Sequence, residues 1–157
     1  MKTILLTLSI SLFTFAQSQS LNLRGIDIEL GMNSKIVWDM ISPNLNVLED
    51  DDDNMYISDE HDVTIGIIYI KNETVYKVAK DWGTTYKSNV GQVFKILWKI
   101  LKQYGDELNS VKISPLETFT PKGEQNSLRF YMNDYRYIDI TIQHNVTIFE
   151  VIEEPEY

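Results

Sequence analysis

The sequence predicts an α+β fold: two units, each a helix followed by antiparallel strands, with both helices on one face of a curled antiparallel sheet. Three observations predict it. Two stretches, near 36–41 and 90–104, carry apolar residues at helical spacing. Each is followed by runs that alternate apolar and polar residues and are broken by turn signals. The third is negative: with no cysteine in 157 residues, the fold must rest on a buried core and not on disulfides.

The elements follow in order. Met1-Lys2, the apolar run Ile4–Phe15 and small residues up to Ala16 read as a secretory signal peptide over residues 1–16. The apolar run is shorter than the roughly 20 residues that a membrane helix needs, and no later stretch reaches that length. Cleavage removes Lys2 and leaves the rest, 17–157, as a single domain with half-repeats over 26–83 and 88–152. Asn33 or Ser34 can cap a first helix. Ile36, Val37, Met40 and Ile41 form its apolar face, and Pro43 stops it. Strands are expected near 55–58, 63–70 and 74–82, with a hairpin turn at Lys71-Asn72-Glu73. The nearly unbroken apolar run at 63–70 reads as a strand covered on both faces.

The second helix is expected from a Ser88 cap to Tyr104, stopped by Gly105. Its apolar residues (Val90, Val93, Phe94, Leu97, Leu101 and Tyr104, widened by Ile96, Trp98 and Ile100) occupy more than one face, which implies burial on more than one side. Strands follow near 111–113, 127–132, 135–143 and 146–152, with Leu116–Asn126 as a loop that could hold a bent edge strand. Ile138, Ile140 and Ile142 alternate with Tyr137, Asp139 and Thr141, so one face of that strand is wet. Trp38, Trp82 and Trp98 read as core.

Residues Ile28-Glu29-Leu30-Gly31-Met32-Asn33 through Val37 resemble the opening of the SmpA/OmlA (BamE-like) family of small envelope proteins. That motif is an apolar residue, Gly-Met, a polar cap and a valine a few residues on. Gly31 turns the chain, Met32 packs back on the first turn, and Val37 anchors the helix. The wider group shares its architecture with the β-lactamase inhibitor proteins, tandem helix-plus-sheet domains that bind other proteins. The resemblance therefore implies a protein-binding envelope domain. This chain lacks the lipid-anchoring cysteine of that family, so the mature form is expected free in the periplasm or secreted.

Composition excludes several functions. A formal charge of -9 argues against nucleic acid as partner, because phosphate binding needs clustered Lys and Arg. Absent cysteine excludes thiol catalysis and Cys-ligated metals. No Gly-x-Ser-x-Gly, His-Glu-x-x-His or phosphate-cradling loop is present, and no cofactor is called for. His61 and His144 stand in separate halves with nothing to pair them. Glu49–Asp62 holds eight acidic residues and no basic one. Within it Asp50, Asp52 and Asn54 match the first ligand positions of a calcium loop, but Met55 replaces the turn glycine and His61 the closing Glu. A solvated acidic loop is the plainer reading. Lys71–Lys102 holds seven lysines against Glu73 and Asp81, so the charge is bipolar.

The candidate binding surface is the wet face of the last hairpin. Alternation places Arg129, Tyr131, Tyr135 and Tyr137 there together. Arg and Tyr are enriched at binding hot spots. The expected function is a non-enzymatic interaction module with an envelope protein as partner. The alternatives are small-ligand or glycan binding, and a hydrolase whose carboxylates meet only in the fold.

Overall fold

The computed structural model describes residues 19–86, 89–104, 112–120, 123–143 and 145–155. The expected signal segment, Ser88, Gly105 and His144 lie outside these residues. Among the described residues the chain forms ten strands and two helices. They are β1 (Ser20–Leu23), β2 (Ile26–Glu29), α1 (Ser34–Ile41), β3 (Asn46–Glu49), β4 (Met55–Ser58), β5 (Thr64–Lys71) and β6 (Thr74–Tyr86), then α2 (Val90–Gln103), β7 (Lys112–Thr120), β8 (Gly123–Tyr131), β9 (Arg136–Ile142) and β10 (Asn145–Glu153).

The expected α+β class with a curled sheet is corrected by this inventory. The protein is mostly β: one open antiparallel sheet of eight strands, neither closed nor strongly curled, and a separate two-stranded hairpin. The extra strands β1, β2 and β3 are four residues each, too short to give a decisive periodic signal. β1 and β2 turn through Arg24 and Gly25, both at positive φ, and the Asn22 side chain accepts from the Gly25 amide at 2.8 Å. The stretch 116–126, expected as a loop that could hold a bent edge strand, forms the inner part of the β7–β8 hairpin at its described residues 116–120 and 123–126, with Leu116 opposite Ser127. β7 is an outermost strand, the place in a sheet that tolerates Pro115. Edge strands bury little, so they need few apolar residues and give a weak sequence signal.

The strand order is β3-β4-β5-β6-β10-β9-β8-β7. Chain order therefore runs helix then four-strand meander, twice, and the last strands of the two meanders pair antiparallel. Helices and hairpin cover one face. In the first half, Val37 and Ile41 of α1 and Leu21, Leu23 and Ile28 of the hairpin pack on Ile68, Val78 and Ile152. In the second, Ile100 of α2 packs with Ile138, Ile140 and Ile148, helped by Val93, Ile96 and Leu97. Each such fully buried aliphatic side chain stabilises the fold by roughly 1.5–3 kcal/mol. Caps fix the helix starts: the Asn33 oxygen accepts from the Lys35 amide and the Asn89 oxygen from the Gln92 amide. Gly31, at φ 81, turns the chain into α1.

Candidate functional site

Among the described residues the sheet face opposite the helices is uncovered, and its centre is a row of paired polar groups. Register sets Arg129 opposite Asp139 across β8 and β9. The guanidinium donates to both carboxylate oxygens at 2.7 Å. It also lies 3.8 Å from the centroid of the Tyr137 ring. Tyr131 is opposite Tyr137, with centroids 6.2 Å apart. The Tyr137 hydroxyl donates to Glu153 on β10, and Lys77 on β6 donates to the other Glu153 oxygen at 3.3 Å. One chain of contacts thus crosses four strands. Bidentate pairing of this kind fixes geometry as well as energy.

Of the four residues the sequence nominates, three share this face. Tyr137 is only 5% exposed, so it serves as floor. Arg129 is half-buried beneath its own partners. Tyr135 lies in the loop before β9 and packs partly against the first core. All four nevertheless line a depression of about 340 Å³ with Asp134, Glu153 and Glu154 at its edge.

The network shapes the protonation of its members. The Asp139 hydrogen bonds push Arg129 further up, so it stays charged at any working pH. Burial first, and then donation to Glu153, raises the Tyr137 hydroxyl well above its ordinary value. Burial raises Tyr69 and Tyr76 too. A phenol whose pKa is raised by folding holds its proton in the folded state after the unfolded chain has lost it. Its contribution is therefore complete below about pH 10 and is lost progressively as pH rises above that. Urea unfolding should show a falling midpoint between about pH 9 and about pH 11, and Tyr137→Phe should show a shallower fall. An unchanged midpoint in the native chain would rule out the buried phenol.

A second ionic cluster sits on the helix side of the sheet. Glu150 is 0% exposed. It accepts from Arg136, from the Tyr104 hydroxyl at 2.6 Å and from the Trp82 indole at 3.0 Å. Arg136 also donates to the Ser20 carbonyl at 2.6 Å and stacks 4.6 Å from the Tyr104 ring centroid. This cluster ties β10, β9, β6, α2 and the N-terminal hairpin at the junction of the two cores. Lys80, opposite Glu150 in register, has its pKa lowered by burial and lies 4.5 Å from the Trp82 ring centroid. The sequence did signal the pair. Arg136 precedes Ile138 and Ile140, and Glu150 follows Val146 and Ile148, both at inward positions of an apolar alternation.

The third feature corrects an expectation. Trp98, read as core, is 71% exposed, and Phe94 is 65% exposed. With Val90 they lie four residues apart along one flank of α2. Trp38 and Trp82 do pack against the two cores. On the same helix-bearing side of the second half, Ile113, Leu128 and Ile142 are also exposed. Among the described residues the first half has both α1 and a hairpin over its sheet, and the second has α2 alone. The apolar width of α2 was visible in the sequence, but only the packing shows that part of it stays bare.

The acidic loop uses its own ligands. Asp50 accepts from the amides of Asp52 and Asn54 and from the Asn54 side chain, and Asn54 accepts from the Ile70 amide. The Asn54 contact lowers the Asp50 pKa most. Asp50, Asp52 and Asn54 thus form a hydrogen-bonded turn joining β3 to β4. Asp59 is tied similarly: it accepts from the His61 and Val63 amides and pairs with Arg24 at 2.7 Å. Among the described residues no helix is long and apolar enough to cross a membrane. No family model matches the chain, and no curated protein or solved structure matches it either.

Proposed function

We propose that this chain is an exported, non-enzymatic interaction module that acts in the periplasm or outside the cell and docks on an envelope protein. The observation that carries the reading is the bare flank of α2. Contiguous exposed apolar side chains with aromatic members are a feature of interaction surfaces and are uncommon elsewhere on soluble domains. Val90, Phe94 and Trp98 supply such a surface, and Ile113, Leu128 and Ile142 are exposed on the same side of the sheet. Charge narrows the partner. Between Asp81 and Asp106 there is no acidic residue, and Lys95, Lys99 and Lys102 lie along α2 beside the apolar flank. The complement is a protein with an apolar segment bordered by carboxylates.

Affinity capture from the native envelope tests this. The pair Phe94→Ser and Trp98→Ser removes two hot-spot side chains that carry no core packing, so melting should not change. Partner affinity should drop by about 30-fold or more. Added salt should weaken the native complex by screening the lysines. Undiminished capture by the double variant would remove the assigned surface.

A second reading places the partner on Arg129, Tyr131, Tyr135 and Tyr137, favoured by the depression they line together. It is the weaker of the two, because Arg129 and Tyr137 direct their polar groups at Asp139 and Glu153. Tyr131→Ala with Tyr135→Ala separates it from the first: only that pair would then abolish capture.

A further inference from the structure

We propose that the open sheet face holds a binding trough for a neutral carbohydrate, on the side of the sheet opposite α2 and independent of the protein-docking reading. The trough has a volume of about 470 Å³, which is small-ligand size. Its floor comes from the middle strands β5, β6, β10 and β9 with Gln125 of β8, and successive residues along the strands arrange it in rows. Phe149 stands beside Asp139 in register. The next row along is hydroxyls: Thr147 opposite Thr141, and Thr141 opposite Ser127 at 3.0 Å between oxygens. Beyond it come three side-chain amides, Asn145, Gln143 and Gln125, which make no hydrogen bond to other described groups.

Chemistry selects the ligand class. A side-chain amide offers a donor and an acceptor in one plane, and a sugar hydroxyl is itself both donor and acceptor. Adjacent ring hydroxyls therefore match a row of amides and threonines. The apolar C–H face of a pyranose matches the negative face of an aromatic ring, here Phe149, with Ala79 and Val151 beside it. Anionic ligands do not fit: the cation lining the trough, Lys77, is already paired with Glu153. Acyl chains do not fit, because they would bury the amides unsatisfied. An extended peptide would add at a sheet edge, where backbone groups are free, whereas these strands are paired on both sides.

The test is saturation-transfer NMR on the full chain with cellobiose, maltose, lactose and diacetylchitobiose as probes, beside glucuronate and octanoate. At least one neutral disaccharide should receive transfer, and the two charged probes should receive none. The pair Gln125→Ala and Gln143→Ala leaves the cores untouched, so its melting should match the native chain while sugar affinity drops by about fivefold or more. Phe149→Leu keeps an apolar floor but removes the ring, and should weaken binding similarly. Three results would overturn the proposal: no transfer to any neutral sugar, transfer to glucuronate or octanoate instead, or sugar binding unaffected by both the amide pair and Phe149→Leu.

Discussion

Glu150→Ala is expected to destabilise the protein by about 3–5 kcal/mol. The magnitude does not come from the strength of the ion pair. Taking both charges out of water offsets much of their attraction. It comes from what remains: Arg136, 8% exposed, would stay buried with one donor still on the Ser20 carbonyl and its carboxylate gone. The Trp82 indole and Tyr104 hydroxyl would lose an acceptor at the same moment. Arg136→Met alone should cost a similar amount, because it strands the fully buried carboxylate. Replacing both, Arg136→Met with Glu150→Leu, should recover most of the loss, since an apolar pair leaves no buried charge. Equilibrium urea unfolding of the four proteins checks this. Additive losses in the double variant would show that the two residues act separately.

Gly66→Val is the second large effect. A Cβ on Gly66 would lie 2.4 Å from the Ala79 carbonyl oxygen and 3.2 Å from a Leu23 methyl. The first obstacle is backbone of the neighbouring strand β6, which cannot rotate away. The second belongs to the hairpin that caps the first core. Relief requires β5 and β6 to part or the hairpin to lift. Overpacking of this kind costs typically 1–3 kcal/mol, and a branched side chain against a carbonyl should reach about 3 kcal/mol or exceed it. Gly66→Ala should fall lower in the same range. Thermal melting measures both; a neutral Gly66→Val would mean that neither the β6 backbone nor the hairpin lies this close to β5.

Some of this was legible in the sequence and some was not, for identifiable reasons. α2, β5, β9 and β10 carry dense apolar patterns, and their expected bounds differ from the observed ones by few residues. β1, β2 and β3 do not announce themselves, and β7 does so only in part, as an expected strand near 111–113 and a bent edge strand within 116–126. They lie in the small hairpin or at the sheet margins, where one or two inward side chains suffice. Without β1, β2 and β3 the fold looks richer in helix than it is. The wet face of β8 and β9 was legible from alternation, but the pairing of Arg129 with Asp139 was not. A tight turn confined to Asn133-Asp134 would set Arg129 opposite Ile138 and turn one strand's side chains to the wrong face. The observed connection is wider. The Asn133 side chain accepts from the amides of Tyr135 and Arg136, and Met132 and Asn133 both donate to the Arg136 carbonyl. That extra residue restores the face and takes Tyr135 out of the strand. The bare flank of α2 was half legible: the width of its apolar stripe was visible, but not which part the sheet would leave uncovered.

The central claim is that α2 presents Val90, Phe94 and Trp98 to a partner. Photo-crosslinking tests it most directly, with benzoylphenylalanine placed at position 98, or in a second protein at position 141 in the trough on the opposite face, and irradiation in intact envelopes. A discrete protein adduct from position 98, weakened by Lys99→Glu and not formed from position 141, is the expected result. A protein adduct from position 141 with none from position 98 would contradict the account.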